Sequence, residues 1–148
     1  MAFGGWSFRD DLGIEQVDED HRRLVELLRR LYDGTAAGWA GAEVAAAFRE
    51  LAEHARVHFQ REELLLEAAA CPELPRQRSE HASLLTLLRG LGRAPAELSP
   101  QAVEDLGRRL LAHIQEEDRS YADWLARARP EAVAAWARRR ALAALPRP

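Results

Sequence analysis

Apolar residues recur along this chain at alternating steps of four and three, the period of one face of an α-helix. The clearest run is Val44, Phe48, Leu51, Ala55, His58, Glu62, Leu65 and Ala69. It predicts a long amphipathic helix, broken by Cys71-Pro72-Glu73-Leu74-Pro75. A first helix is expected over 19–37, with Asp18 as its N-cap, a stripe of His21, Leu24, Val25, Leu28, Leu31 and Tyr32, and an end marked by Gly34 and by Gly38 to Gly41. A third carries Gln77, His81, Leu84, Leu85, Leu88 and Leu91 and stops at Gly92 to Pro95. Ser99-Pro100 pairs an N-cap serine with proline at the first helical position. The fourth helix that follows carries Val103, Leu106, Leu110, His113, Ile114, Asp118, Tyr121 and Leu125, and Arg129-Pro130 ends it. Strand signals are nearly absent.

Four helices with short joints predict an all-α, up-down-up-down four-helix bundle. One domain is expected across residues 1–148, with an N-terminal arm at 1–17, the bundle at 18–128 and a short C-terminal helix at 130–146. Trp6 and Phe8 of the arm are expected to pack across the bundle. The arginine-rich tail around Trp136 is read as a packed or frayed terminal helix rather than a membrane-surface element.

Composition narrows the function classes. Charged residues make up 30% of the chain, yet the formal net charge is only −3, which disfavours nucleic acid as a partner. All 21 basic residues are arginine, and their even spread fits a genomic bias. No membrane span or signal peptide is visible, and the lone cysteine, Cys71, reads as a structural thiol, so a reducing cytoplasm is the default location. A monomer or weak homo-oligomer is expected.

The chemistry lies in the stripes themselves. His58 and Glu62 are four apart, as are Gln77 and His81; His113 is followed by Asp118, and His21 stands in Asp18-Glu19-Asp20-His21. Residues four apart share a helix face. These faces are otherwise apolar, and burying imidazole and carboxylate there is costly unless something binds them. A metal centre inside the bundle accounts for all four segments at once. Four imidazoles and two carboxylates are too many for one ordinary zinc site and suit two transition ions, iron or manganese rather than calcium or magnesium. Glu62 and Asp118 would bridge. No Glu-x-x-His pair of the ferritin type occurs. An imidazole-rich set favours a reducible pair over an iron store. Spacing alone leaves the fourth segment open: five residues subtend about 140° on a regular helix. Glu117 is therefore easier to place than Asp118 unless the helix widens in a single π-turn.

The order and spacing of these motifs resemble the hemerythrin family, in its bacterial single-domain form. The resemblance rests on Trp6, Gly13-Ile14-x-x-Val17-Asp18-x-Asp20-His21-x-x-Leu24, His58-Phe59-x-x-Glu62-Glu63, Pro72-x-Leu74-x-x-Gln77-x-x-x-His81-x-x-Leu84 and His113-Ile114-x-x-x-Asp118-x-x-Tyr121. It implies a four-helix bundle, an oxo- or hydroxo-bridged pair of iron ions, and dioxygen as partner. Carried over, His21 and His58 would hold one iron, His81 and His113 the other, and Glu62 and Asp118 would bridge, which selects Asp118 over Glu117. Gln77 departs from the pattern, which has histidine at that position. It would either ligate through its amide oxygen or hold a water at an open position.

Around the ligands, His54 is expected to support them from behind or to lie on the surface. Tyr121 would hydrogen-bond a bridging carboxylate, and Leu28, Leu110 and Ile114 would form a dry oxygen pocket or ordinary core. The function implied is dioxygen carriage, storage or sensing without a catalytic residue. The alternatives are a di-iron peroxidase- or oxidase-like enzyme acting on peroxide, and a metal-poor bundle kept as an interaction domain.

Overall fold

The computed structural model describes residues 11–135. The expectations for Trp6, Phe8 and Trp136 lie outside them. The described residues form α1 (Glu15–Ala36), α2 (Gly41–Ala68), α3 (Leu74–Leu91) and α4 (Pro100–His113). A π-helical turn (Ile114–Asp118) joins α4 without a break to α5 (Arg119–Ala128). Helix resumes at Pro130, and no strand occurs among the described residues. None of their helices is long and apolar enough to cross a membrane.

Helix α1 packs on α2 and α4, and α3 packs on the same two, so helices consecutive in the chain are neighbours in space. Their connections are short, which makes neighbours antiparallel and gives the up-down-up-down order. At the start of α4, the Ser99 hydroxyl accepts from the Ala102 N–H at 3.1 Å, as an N-cap should.

Helix α1 begins four residues earlier than the sequence suggests. Asp18 is not its N-cap. The Asp18 carboxylate lies inside the first turn and accepts from the N–H groups of Leu12 (2.6 Å) and Gly13 (3.1 Å), tying the incoming chain to the helix. Nor does Gly34 end α1. The helix runs through it, and the residue is glycine because the Trp39 ring packs where a side chain would sit: a Cβ on Gly34 would fall 2.3 Å from that ring. The true stop is a Schellman motif. The Trp39 N–H bonds Gly34 O at 3.0 Å and the Gly38 N–H bonds Thr35 O at 3.3 Å. Gly38 supplies the positive φ of +75° that this geometry requires.

Helix α2 ends the same way, with Cys71 N–H on Leu66 O (2.9 Å) and Ala70 N–H on Glu67 O (3.1 Å). Here the left-handed position is Ala70, at φ 53°. Cys71 is buried in an apolar cluster with Leu65, Leu66 and Tyr121, a structural role for the lone thiol. A side chain in that conformation costs roughly 1–2 kcal/mol. Ala70→Gly is therefore expected to stabilise the protein by about 1 kcal/mol, read as a raised urea midpoint at constant slope.

The core forms two apolar layers with a polar layer between them. The larger layer holds Leu24, Leu28, Leu31, Phe48, Leu51, Phe59, Leu84, Leu88, Leu106 and Leu110. The smaller holds Ile14, Val17, Leu65, Leu66, Tyr121 and Leu125. Helices α1, α2 and α3, and the continuous rod of α4, π-turn and α5, each pass from one layer to the other and carry inward polar residues at the crossing: His21 on α1, His58 and Glu62 on α2, Gln77 and His81 on α3, and His113 and Asp118 on α4 and its π-turn.

Candidate metal centre

The four histidines, Glu62, Asp118 and Gln77 are all buried, none more than 5% exposed. One donor atom from each of His21, His58, Glu62 and Asp118 lies within 4.8 Å of the others, and the same holds for Glu62, His81, His113 and Asp118. The two groups share both carboxylates. His21 Nε2 stands 3.1 Å from Asp118 Oδ2 and 3.9 Å from Glu62 Oε2. His113 Nε2 is 3.1 Å from Asp118 Oδ1. His58 Nε2 and His81 Nε2 approach Glu62 Oε1 at 3.0 and 3.4 Å.

The π-turn explains how Asp118 arrives there. One extra residue in the turn lets positions five apart share a face. Asp118 is fully buried, whereas Glu117 points outward and pairs with Arg76 Nε at 2.7 Å.

The electrostatics are those of a site built for a cation. Burial alone would push His58 down, but the Glu62 charge, the hydrogen bonds to Asp20 and Glu62, and the Asp118 charge outweigh it and raise its pKa to about 10. Burial opposes the ionised form of Glu62, yet His58, His81 and His21 hold it well below the ordinary carboxylate range. His113 is raised against its burial by Asp118 and Glu62. A metal bound here would compensate the same carboxylate charge in place of protons, because a ligating imidazole gives up the proton on its donor nitrogen.

The atoms facing inward also lack other uses. Apart from one another, His58 Nε2, His81 Nε2, His113 Nε2, Glu62 Oε1 and both Asp118 oxygens are buried with no hydrogen-bond partner among the described residues. A native interior rarely leaves so many such atoms together. Borderline nitrogen donors mixed with carboxylates fit a first-row transition ion.

Gln77 occupies the same inward face of α3 as His81, Leu84 and Leu88, and its Oε1 is another buried atom with no partner among the described residues. His54 belongs to neither donor group. Its Nε2 meets Asp20 O at 2.8 Å, and its ring stacks parallel to His58 at 6.4 Å. Tyr121, fully buried, donates its hydroxyl to Glu62 Oε2 at 2.7 Å. Burial, then the charges of Glu62 and Asp118, lift its pKa well above the usual value, so it remains a donor. Leu28, Leu110 and Ile114 are buried in the larger core layer, 0–2% exposed. Phe59 lies flat on His81, with centroids 4.2 Å and planes 12° apart, and meets His113 edge-on.

Sequence reasoning assigned no role to two further carboxylates. Asp20 Oδ2 accepts from His58 Nδ1 at 3.0 Å, and Glu63 Oε2 accepts from His81 Nδ1 at 3.0 Å. The signal was present in the adjacent acidic residues of Asp20-His21 and Glu62-Glu63, but each partner lies on a different helix, so spacing could not reveal it.

Comparison with known proteins adds independent weight. Residues 12–125 match the family model described as the hemerythrin HHE cation binding domain. The chain is similar to the bacteriohemerythrin of Ralstonia nicotianae, at 30% identity over 131 residues, covering 86% of this chain and 92% of the relative. The bacteriohemerythrin of Stenotrophomonas maltophilia is 29% identical over 126 residues, covering 83% of this chain and 82% of that one. Among solved structures, a wild-type hemerythrin crystal structure shares the fold, with a TM-score of 0.76 at 20% identity, over 82% of this chain and 97% of the other.

Proposed function

The chain belongs to the hemerythrin family, and from that premise we propose that it is a non-haem di-iron protein that binds dioxygen reversibly. The observation that carries this reading is the pair of four-donor groups sharing Glu62 and Asp118. Under it, His21 and His58 hold one iron, His81 and His113 hold the other, and the two carboxylates bridge. A bound iron pair would supply reversible electron transfer to dioxygen.

The rest is the work of this chain. Leu28, Leu110 and Ile114 exclude water from the side of the larger apolar layer. Tyr121 fixes Glu62 through Oε2, leaving Oε1 toward His58 and His81. Gln77 puts a neutral amide where the family has imidazole. An amide oxygen is a poorer donor for this class of ion, so Gln77 leaves the His81/His113 position open or holds a water there.

Reconstitution with ferrous iron is expected to give two irons per chain and a visible charge-transfer band that appears in air and fades under vacuum. The band is expected to persist longer in Gln77→His than in the parent. Equal lifetimes would remove Gln77 from the account. Gln77 also favours a second reading, a peroxidase-like catalyst. Dye oxidation by hydrogen peroxide, abolished in His81→Ala, together with a band that does not fade under vacuum, would install that reading in place of the first. An iron content near zero would leave a metal-poor interaction domain.

A further inference from the structure

Each donor group contains one histidine with a carboxylate behind it. In the His21/His58 group it is Asp20, against His58 Nδ1; in the His81/His113 group it is Glu63, against His81 Nδ1. An ionised carboxylate can only accept hydrogen bonds, so both Nδ1 atoms must carry the proton. When the ring gives up its other proton to bind a metal, its lone pair lies on Nε2, facing the centre. The carboxylate also pushes electron density into the ring and makes Nε2 a stronger donor.

The two supports differ in setting. Asp20 is nearly closed off, with its side chain 12% exposed and Arg61 Nη1 at 3.1 Å. Glu63 is 27% exposed, 3.5 Å from Arg78 Nε, and lines a surface cavity of about 330 Å³ between α2 and α3 with Phe59, Arg78 and Leu85. Solvent screens the Glu63 charge more than that of Asp20.

We propose that Asp20 and Glu63 are positioning residues, one for each metal position, which lock His58 and His81 in the Nδ1–H tautomer and strengthen them as donors. The inference rests on the di-iron reading above. Asp20 has the larger effect, because it is the drier of the two.

The test compares the parent with Asp20→Asn and Glu63→Gln, both loaded with ⁵⁷Fe. Amides of the same shape keep a hydrogen-bond acceptor and remove the charge. Release of iron to a chelator is expected to speed up about 10–100-fold in Asp20→Asn, and by less in Glu63→Gln. The midpoint potential of the iron pair is expected to rise in both. Mössbauer spectra are expected to show one iron environment altered in each variant and the other kept, a pattern that general loosening of the fold does not produce. Glu63 is partly exposed, so Glu63→Gln alone decides the matter if Asp20→Asn fails to fold. Parental release rates and two unaltered Mössbauer doublets would overturn the inference. A parent that takes up no iron would overturn the di-iron reading itself, before any variant is compared.

Discussion

Asp118→Ala is expected to fold and to hold no iron. Both donor groups include Asp118, so one substitution takes an oxygen donor from each group at once. His113→Ala, by contrast, takes one donor from one group and is expected to retain partial iron. The side chain also compensates buried charge, standing 3.1 Å from both His21 Nε2 and His113 Nε2. Breaking a buried pair by removing one partner costs about 3–5 kcal/mol, so the variant should melt earlier as well. Iron per chain after reconstitution, measured beside a circular dichroism melt, separates the two effects. Two irons retained by a folded Asp118→Ala would end the bridging assignment.

Phe59→Ala is expected to be the most damaging apolar substitution near the centre. The ring is 2% exposed, belongs to the larger core layer, stacks on His81 and meets His113 edge-on. Truncating such a ring costs about 3–5 kcal/mol, set against a total stability of about 5–15 kcal/mol for an ordinary domain. Denaturant unfolding reads the loss directly. Phe59→Leu, which keeps most of the volume, is expected to lose much less. Equal losses in the two variants would mean that the stacked face contributes nothing beyond filled space.

The helical stripes were legible because each obeys its period across the whole helix. Phe48, Leu51, Ala55, His58 and Glu62 point inward as their spacing requires, and Ser99-Pro100 opens α4 where that pair should. The inward polar residues stood out for the same reason, as interruptions at matching heights of four apolar faces. What escaped was tertiary. Asp18 has the composition of an N-cap, but its carboxylate serves the chain before the helix. Gly34 resembles a terminator, but it is small because Trp39 folds back over it. Asp20 and Glu63 look like solvated charges, and their histidines lie 38 and 18 residues away. No periodicity in one helix reports what another helix brings against it.

The π-turn at Ile114–Asp118 bears on any attempt to graft this centre onto a designed scaffold. One surplus residue rotates everything after it by about 100°, given 3.6 residues per turn. Asp118, Tyr121 and Leu125 all owe their inward aim to that offset. Transplanted letter for letter onto a straight, idealised rod, the first half of the ligand set would aim at the axis and the second half would swing off it. A designer must either copy the irregular turn or delete one position between His113 and Asp118, and blueprints assembled from ideal helices alone would leave the Asp118 carboxylate on the outside.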